Sequence, residues 1–462
     1  MKAQRKTTLY SFIPSSKGVK TSASLSGLML LAPLAAQAQI TPDQTLGSEA
    51  SKVDRNVTVR GALGDRINGG AIRGVNNFHS FSDFNVLNDQ RVYFSNQTGV
   101  QNIITRVTGA NGSNIHGTLG VDGGANLFLI NPNGIVFGPN AQLDVAGSFW
   151  AGTSDRVLFS NGESFGTNSA SVPALVEVNI PIGLQMGKNA IAMVRNEAKL
   201  AAGKDLGLTG SAVVSSGSLK ADQVQVSAAV GNAEVNQVTA RSATVEAKQD
   251  IVLNSSQLRT TEDLTLKAEG TVQARDTVAK PLAVAAGRDL QVQGNQKIDI
   301  LALNHPTPAF QAGGDLKLIS NGIISGDSHF ISGGSFSILN LNGQPGDFLS
   351  LHDPIIRSNR NVTFGTYLGA SLKVEARGSI EATGNITVNA PDATATGDPD
   401  SAILTARPAL IVRSGVASIA TSTGITVAFT ESPITTPGDI TVKDIVVGDW
   451  DSARPCDFRV KE

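Results

Sequence analysis

Side chains that could carry acid–base, nucleophilic or metal chemistry are few in this sequence. No G-x-S-x-G segment is present, and nothing around the single cysteine, Cys456, suits a nucleophile. No two histidines have the H-E-x-x-H spacing of a zinc site. The sequence therefore predicts neither a metal nor a cofactor. The five histidines are His79, His116, His305, His329 and His352.

The densest polar side chains lie in two short segments, "ISGDSHF" (Ile324 to Phe330) and "DPIIRSNRN" (Asp353 to Asn361). An enzyme that used these side chains would need convergent carboxylates or basic groups on one outer face. We interpret both segments as loops or turns with ordinary surface charge. An enzyme stays the alternative, and a turnover that is lost on removal of His329 or Asp353 would support it.

An acidic residue recurs in a Gly-x-Asp-Leu pattern, and two of its intervals are 26 residues long. A row of carboxylates could bind Ca²⁺, but the nonapeptide period of the Ca²⁺-binding repeats is absent. We therefore interpret these residues as turn residues that bond their own backbone. The positions are Asp205, Asp263, Asp289, Asp315, Asn361 and Asp439.

The segments around these residues repeat loosely from about residue 200 onward, which indicates a solenoid. Each unit holds two or three short alternating strands, such as "SLKADQVQVSA", and helical periodicity is nearly absent. Parallel strands without helical crossovers fit a β-helix, in which each coil lies on the one before it. At ~22 residues per coil, the mature chain would form about 19 coils and a rod of roughly 90 Å.

The composition supports an exported all-β protein, with only 16% charged residues and 48 glycines. Residues 1–38 have the parts of a signal peptide: a basic segment, the apolar "LSGLMLLAPLA", and a cleavage site at Ala36-Gln37-Ala38 before Gln39. No cysteine follows the apolar segment, which argues against a lipoprotein anchor. The sequence contains no run of 18 apolar residues, so it does not predict a membrane-spanning helix.

Charge and cysteine content restrict the partners. Without the signal segment, Lys and Arg fall from 37 to 32 against 39 Asp and Glu, which leaves about −7. A mildly acidic chain argues against nucleic acid as a partner. One cysteine cannot form an intramolecular disulfide, so the core and the hydrogen-bond ladders must hold the fold. We interpret Cys456 as an incidental thiol, with pairing to another chain as the alternative.

The N-terminal part, residues 39 to about 180, has more aromatic residues and more Asn than the repeats, and we interpret it as a capping and nucleating domain. Within it, "NLFLINPNGIVFGPNAQLDV" reads as strand, turn, strand, turn, strand. Asn131-Pro132-Asn133-Gly134 has the composition of a type I turn. The aromatic residues are Phe78, Phe81, Phe84, Tyr93, Phe94, Phe128, Phe137, Phe149, Trp150, Phe159 and Phe165.

Several blocks of this part, in order, resemble the two-partner secretion domain (haemagglutination activity domain) of filamentous haemagglutinin-family exoproteins. The blocks are "ITPDQTLGS", "VYFSNQTGVQNIITRVTG", "SNIHGTLG", "ANLFLINPNGIVFGPNAQLDVAGSF" and "LFSNGESF". The similarity runs from about Ile40 to Met186, and its wording is closest to cyanobacterial versions. The NPNGI motif falls on Asn131 to Ile135. The upstream turn, often Asn-Pro-x-Gly in this family, is Asn96-Gln97-Thr98-Gly99 here, without the proline.

The resemblance implies a right-handed parallel β-helix of the single-stranded, pectin-lyase-like kind. It implies Sec export to the periplasm, recognition by the periplasmic domains of an outer-membrane β-barrel transporter, and release outside a Gram-negative-type cell or retention on its surface. Adhesion to an unknown cell-surface or carbohydrate receptor is the common end use. The expected recognition or folding-nucleation residues are Asn131, Pro132, Asn133, Gly134, Ile135, Asn96 and Gly99.

We therefore predict four parts: a signal peptide over 1–38, a secretion domain over 39–200, β-helix repeats over 201–448 and a polar tail over 449–462. The function predicted is that of a secreted adhesin without enzymatic activity. Two alternatives stay open. One is a structural matrix component that associates with itself through exposed ladder edges. The other is a polysaccharide-active enzyme, because parallel β-helices also host lyases and hydrolases.

Overall fold

Period-two alternation produces the strands of this fold. In Thr271–Arg275, for example, Val272 and Ala274 are buried while the residues between them are partly exposed. Each strand pairs in parallel with the strand one coil further on, so Leu264 lies opposite Leu290, which lies opposite Leu316. Like side chains thereby stack into continuous columns inside the coils.

The computed structural model describes residues 40–160, 162–167, 181–185, 191–304, 308–417, 438–448 and 458–461. The chain divides into two units, 1–37 and 38–462, and all described residues lie in the second. Short helices are present at Gly47–Glu49 (3-10) and Ser401–Leu404 (α1). No described helix is both long enough and apolar enough to cross a membrane.

The strands before the regular coils are, in chain order, β1 (Ile40–Pro42), β2 (Ser51–Val59), β3 (Ala62–Gly69), β4 (Ala71–Arg73), β5 (Asn76–Phe84), β6 (Arg91–Ser95), β7 (Asn102–Val107), β8 (Ser113–Ile115), β9 (Thr118–Asp122), β10 (Asn126–Ile130), β11 (Ile135–Phe137), β12 (Gln142–Asp144), β13 (Phe149–Gly152), β14 (Arg156–Phe159), β15 (Ser164–Gly166) and β16 (Pro181–Gln185).

The strands that follow are β17 (Val194–Asn196), β18 (Lys199–Ala201), β19 (Asp205–Gly210), β20 (Val213–Lys220), β21 (Gln223–Ala228), β22 (Ala233–Ala240), β23 (Ser242–Ala247), β24 (Ile251–Asn254), β25 (Gln257–Thr260), β26 (Leu264–Ala268), β27 (Thr271–Arg275), β28 (Ala283–Ala286), β29 (Leu290–Gly294), β30 (Lys297–Leu301), β31 (Phe310–Ala312), β32 (Leu316–Ile319), β33 (Ile324–Asp327), β34 (His329–Ser332), β35 (Phe336–Leu339), β36 (Phe348–Ser350), β37 (Ile355–Ser358), β38 (Val362–Phe364), β39 (Tyr367–Ala370), β40 (Leu372–Ala376), β41 (Ile380–Ala390), β42 (Leu410–Arg413), β43 (Ile440–Val447) and β44 (Phe458–Lys461).

Most of these strands form three parallel ladders, which we call the first, second and third faces. Each coil contributes β-structure to the first face, then the second, then the third, as β26, β27 and β28 do. The first face runs from β5 through β7, β10, β13 and β19 to β43. The predicted all-β fold, a right-handed parallel β-helix with an N-terminal capping region, is confirmed.

The number of coils is smaller than the sequence estimate of about 19. Among the described residues the first face holds 14 strands. The estimate was too high because two coils carry long insertions. Phe149 lies opposite Leu206, and Ile380 lies opposite Ile440, although most coils take 18 to 26 residues.

Antiparallel strands cap the N-terminal end. β1 and β4 both pair antiparallel with β5, the initial strand of the first face, and β2 pairs antiparallel with β3 at the end of the third. Reversed strands of this kind cover an edge that would otherwise recruit other strands. The capping region predicted from the aromatic-rich sequence therefore has a specific construction.

The insertion before β17 packs on the outside of the first face. β14 pairs antiparallel with β15 and β16, and Phe159 and Phe165 from this small sheet meet Phe78 of β5. The ring centroids of Phe78 and Phe165 are 4.8 Å apart. This second apolar cluster adds a layer outside the β-helix, and burial of each such ring contributes roughly 1.5–3 kcal/mol.

Near the other end, residues 391–409 with α1 cover the third face, where Leu404 and Ala409 pack against Ile411. The sequence placed the last strand before about Gly448, but Phe458–Lys461 pairs in register with Leu410–Arg413. The predicted polar tail thus contains a further strand. Its Phe-Arg-Val-Lys alternation is only four residues long, which is why the charged surroundings concealed it.

Candidate functional site

Side chains at the coil corners bond the next coil. Oδ1 of Asp289 accepts from the backbone N–H of Asp315 at 2.8 Å, and Oδ1 of Asp315 accepts from that of Ser335 at 2.9 Å. Asn361 and Ser379 repeat the arrangement at 3.0 Å. The sequence interpretation, in which these residues bond their own backbone, is therefore wrong for these positions. Because the corners stack, the backbone N–H of the next coil lies within hydrogen-bond distance of each side-chain oxygen.

The Asn131 turn has the predicted corner geometry. The N–H of Gly134 donates to the carbonyl of Asn131 at 3.1 Å, which closes the turn. Oδ1 of Asn131 accepts from the N–H of Asn133 at 3.0 Å. Pro132 presets its own φ, and Gly134 takes a φ of +114°, which a side chain would strain.

Asn131 is fully buried and joins more than its own turn. Its Nδ2 donates to the carbonyl of Asn111 at 2.9 Å and to Oγ of Ser113 at 3.0 Å, on the preceding coil. Its backbone N–H donates to the carbonyl of Gly152 at 2.9 Å, on the following coil. One side chain and its backbone therefore connect three successive corners. Ile135 continues into the core with no exposed surface.

The outer side of the turn faces solvent. Asn133 is exposed, and its Nδ2 donates to the carbonyl of Gly109 at 2.7 Å. The carbonyl of Met193 accepts from the N–H of Ile135 at 3.2 Å, so the Met193 backbone lies beside the turn, and its side chain is 42% exposed. Ile191, two residues earlier in the chain, is 90% exposed.

The upstream turn lies at a different corner. Asn96 precedes a first-face strand, whereas Asn131 follows one, so the structure does not bring the two predicted turns together. Oδ1 of Asn96 accepts from the N–H groups of Gly124 and Ala125 at 3.0 and 2.9 Å. Gly99 has a φ of +86° and open space around it. Asn96 is thus also a connector between coils, without a proline.

Sequence reasoning missed a buried ladder of asparagines at the start of the first face. Asn102 donates through Nδ2 to Oδ1 of Asn76 at 2.8 Å, and Asn126 donates to Asn102 at 2.8 Å. Oδ1 of Asn126 accepts from the N–H of Ser148 at 2.8 Å. The detectable signal was Asn at the start of both "NIITRV" and "NLFLI".

Sequence reasoning also missed a buried polar network at the N-terminal end of the β-helix. Arg106 is fully buried, and its guanidinium donates to Oγ of Ser80 and Oγ1 of Thr45, both at 3.0 Å. Asp43 accepts from the hydroxyls of Ser80 and Thr108 at 2.7 and 2.6 Å. No spacing in the sequence brings these residues together, because the network depends on how β1 is placed.

Burial sets the protonation states in this network. Desolvation lowers the pKa of Arg106 to about 10, and the negative charge of Asp43 opposes that shift. Burial alone would raise the pKa of Asp43, but hydrogen bonds from Thr108, Thr45 and Ser80 outweigh it and leave this pKa below its ordinary value. Arg106 is therefore a buried cation and Asp43 a partly buried anion near neutral pH.

His79 is a core residue. Its Nδ1 lies 3.0 Å from Oγ of Ser51, and its Nε2 lies 3.1 Å from Nδ2 of Asn77. Because Asn77 can only donate from Nδ2, Nε2 of His79 is the acceptor and the ring is neutral. Burial lowers the pKa of His79 to about 3.

The pair named for the enzyme alternative does come together. Nε2 of His329 lies 2.7 Å from Oδ1 of Asp353, and the side chain of Asp353 is 4% exposed. Oδ1 of Asp327 accepts from the N–H groups of Leu351 and His352 at 2.7 and 3.1 Å. The interpretation of these segments as ordinary surface charge is therefore wrong: the carboxylates hold the loop that carries Asp353.

The insertion over the third face is fixed by buried charges. Nζ of Lys373 lies 2.8 Å from both Oδ1 of Asp398 and Oδ2 of Asp400. Hydrogen bonds from Arg413 lower the pKa of Asp400 well below its ordinary value, although burial opposes that shift. Glu375 contacts Lys373, Arg413 and Arg357, which completes the network.

Some predicted residues lie outside the described part of the chain: the cleavage site at Ala36, Ala38 and Gln39, and also His305 and Cys456. Among the described residues, no group of three or more His, Cys, Asp or Glu side chains is arranged to hold a metal ion.

Comparison with known proteins gives one family and several related structures. The model of the TPS secretion domain matches residues 38–300. The HMW1 secretion domain from Haemophilus influenzae is 14% identical over 86% of this chain and 99% of its own, with a TM-score of 0.35. The filamentous hemagglutinin secretion domain is 14% identical over 81% and 100%, with a TM-score of 0.26. A search of curated proteins finds no match.

Proposed function

The chain belongs to the TPS secretion domain family, and from this membership we propose that it leaves the cell through an outer-membrane β-barrel transporter and acts outside as an adhesin. It is a two-partner-secretion exoprotein of the filamentous haemagglutinin type, and such proteins are secreted or cell-surface proteins. Sec export, with cleavage before Gln39, supplies the chain to the periplasm. The family match carries this proposal.

The Asn131 turn starts the β-helix in this proposal. Its support is the position of Asn131, which bonds the preceding corner through its side chain and the following corner through its backbone. A parallel ladder is slow to start, because successive strands must close a loop before they gain contacts. A buried side chain with fixed partners on neighbouring coils lowers that barrier once the corner forms. Later coils then build on a template.

Folding outside the cell can also drive export. A chain whose coils form one on another loses its freedom to slide back, so no nucleotide hydrolysis is needed. Such folding must not begin in the periplasm, and a slow start protects the chain there. The Asn96 corner, which bonds Gly124 and Ala125, supports the same step on another side of the coil.

The transporter's periplasmic domains meet the outer side of the Asn131 corner. The support is exposure: Asn133 is exposed, Pro132 is half-buried, and Met193, whose carbonyl accepts from the N–H of Ile135, is exposed, as is Ile191 two residues earlier. Strand addition is the second possible contact, since β2 pairs only with β3 among the described strands. Both contacts leave the buried face of Asn131 untouched, so recognition and nucleation are separable.

The decisive experiment co-expresses the chain with a cognate transporter and measures protein in the medium. Asn131→Ala should slow folding and lower export, because it removes buried bonds. Asn133→Ala keeps the turn but alters its exposed side chain, so it should lower export only if the transporter reads that side chain. Normal export and folding of Asn131→Ala would overturn the nucleation role.

Adhesion is the second half of the proposal, and a matrix role is its competitor. Binding of the purified mature chain to cells and to polysaccharide surfaces, measured beside its self-assembly, separates the two. The enzyme alternative has one specific observation, the 2.7 Å contact of His329 with Asp353. A panel of acidic polysaccharides tests it, and turnover lost in His329→Ala would establish it against our proposal.

A further inference from the structure

Arg106 brings together segments that are distant in the chain. Nε donates to Oγ of Ser80 on the neighbouring strand, 26 residues away. The two terminal nitrogens donate to Oγ1 of Thr45, 61 residues away, and to the carbonyl of Gly166, 60 residues away. The guanidinium carbon also lies 4.2 Å from the ring centroid of Phe165. The side chain is fully buried at this junction.

The compensating charge arrives with one of those distant segments. Asp43 accepts from the hydroxyls of Thr45 and Ser80, the same hydroxyls that receive hydrogen bonds from Arg106. Asp43 and Thr45 follow β1, while Phe165 and Gly166 belong to β15 in the insertion. Pairing of β5 with β7 alone therefore places Arg106 against the first face with one of its partners, Ser80.

A guanidinium buried without its partners is strongly disfavoured, because it loses hydration that nothing replaces. We propose that Arg106 is a positioning residue that makes folding of the first coils conditional on two separate segments, residues 43–45 and 165–166. Until both have docked, the initial coils cannot close over the cation. The same residue then stabilises the finished domain, since each of its three guanidinium nitrogens donates to an acceptor.

This condition delays folding of the initial coils during export, an inference that rests on the proposed function. A chain that still has either segment engaged elsewhere, in the transporter or at the inner membrane, keeps the initial coils open. Folding begins only when residues 40–166 are together on one side of the outer membrane. Arg106 thus prevents a partly delivered chain from forming coils that would block the pore.

Arg106→Met is the informative substitution, because it fills similar volume without charge. All three partners lose the donor from Arg106, but the hydroxyls of Ser80 and Thr45 keep the bonds that they donate to Asp43. Arg106→Lys is the matched control that keeps a cation. Each is combined with Thr45→Ala, which weakens docking of the segment after β1.

The measurement is refolding of the complete mature chain from urea, followed by fluorescence of Trp150 in a Trp450→Phe background. Thr45→Ala should slow refolding about tenfold when position 106 is Arg or Lys, and less than about twofold when it is Met. Equal slowing in all three backgrounds would overturn the proposal. If Arg106→Met does not fold, Arg106→Gln takes its place, and equal slowing there would overturn the proposal as well.

Export gives the second readout. With a cognate transporter, Arg106→Met should be secreted severalfold less than the wild type and should leave protease-resistant chain in the periplasm, whereas Arg106→Lys should resemble the wild type. Normal secretion of Arg106→Met would overturn the delay in export. Absence of wild-type export would contradict the proposed function instead, and the refolding result would still decide whether the condition exists.

Discussion

Nδ2 of Asn131 donates to Oγ of Ser113 across 3.0 Å, and this bond joins two successive corners of the β-helix. Both side chains are buried, so neither group can turn to water when the other is removed. The motif that marks this family in the sequence is therefore internal at its first residue and external at its third, Asn133. That division allows a role in folding and a role in recognition to be tested by separate substitutions.

Asn131→Ala should destabilise the secretion region by about 2–3 kcal/mol, because Asn111 and Ser113 lose their buried donor. Urea unfolding of the mature chain measures the loss. Asn133→Ala, at the exposed position two residues later, is the matched control and should cost less than about 1 kcal/mol. Equal losses at the two positions would contradict the division.

Gly207→Ala should disturb the stacking of the Trp150 ring on the ring of Phe128. Trp150 lies over Gly207, where an added Cβ would come 1.9 Å from Cε3 of the indole. We expect a cost of about 1–3 kcal/mol and a shift in Trp150 emission, because the ring must leave its stack on Phe128. Gly124→Ala, with open space at the added carbon, should change neither.

His79 should make the fold acid-sensitive. Burial holds its pKa at about 3 in the folded chain, against an ordinary 6.5. Below pH 6.5 the unfolded state binds a proton that the folded state does not, so stability falls as the pH drops from 6.5 towards 3. The slope is about 1.4 kcal/mol per pH unit for one proton.

His79→Gln removes this titration. Urea unfolding at several pH values should therefore show a shallower loss between pH 6 and 4 than the wild type shows. Parallel curves for the two proteins would mean that His79 does not remain neutral in the folded state.

Substitutions of Asp289 test whether the corner carboxylates act as hydrogen-bond acceptors. Asp289→Asn keeps an oxygen for the N–H of Asp315 and should leave the hydrogen-exchange protection of that amide nearly unchanged. Asp289→Ala removes the acceptor and should weaken protection there by about 0.5–1.5 kcal/mol. A Ca²⁺-dependent gain in stability that Asp289→Asn abolishes would instead indicate the ligand row that the sequence argued against.

Lys373→Met should loosen the covering segment 391–409. Removing the cation leaves Asp398 and Asp400 buried with fewer partners, which costs about 3–5 kcal/mol. Limited proteolysis with chymotrypsin should then cut after Leu404, which is buried on this segment, faster than in the wild type. Lys317→Met, on an exposed pair of the outer surface, serves as control and should leave the cleavage rate unchanged.

The sequence predicted the features that are local in the chain. Alternation and the 26-residue spacing of Asp263, Asp289 and Asp315 were sufficient for a parallel β-helix, and the Asn-Pro-Asn-Gly composition was sufficient for a turn. Contacts between coils were out of reach, because they depend on which corners stack. The acceptors for the corner side chains and the burial of Asp353 are of this kind.

Long-range assembly explains the remaining differences. Arg106 reads as an ordinary charge within "NIITRV", and only docking of β1 and β15 turns it into a buried junction. The number of coils was overestimated because no periodic signal shows that the chain leaves the ladder between Phe149 and Leu206 and then rejoins it in register. Each miss concerns residues whose neighbours are set by the tertiary fold.

After each long insertion the chain rejoins the first-face ladder in register, which has a practical consequence. Phe149 pairs with Leu206 and Ile380 pairs with Ile440 as regularly as any shorter interval does, so the ladder tolerates added sequence at these exits. These are the positions at which a foreign peptide or a small domain could be grafted for display on the β-helix. Variation among related chains should concentrate in the parts of these two insertions that do not contact Arg106 or Lys373.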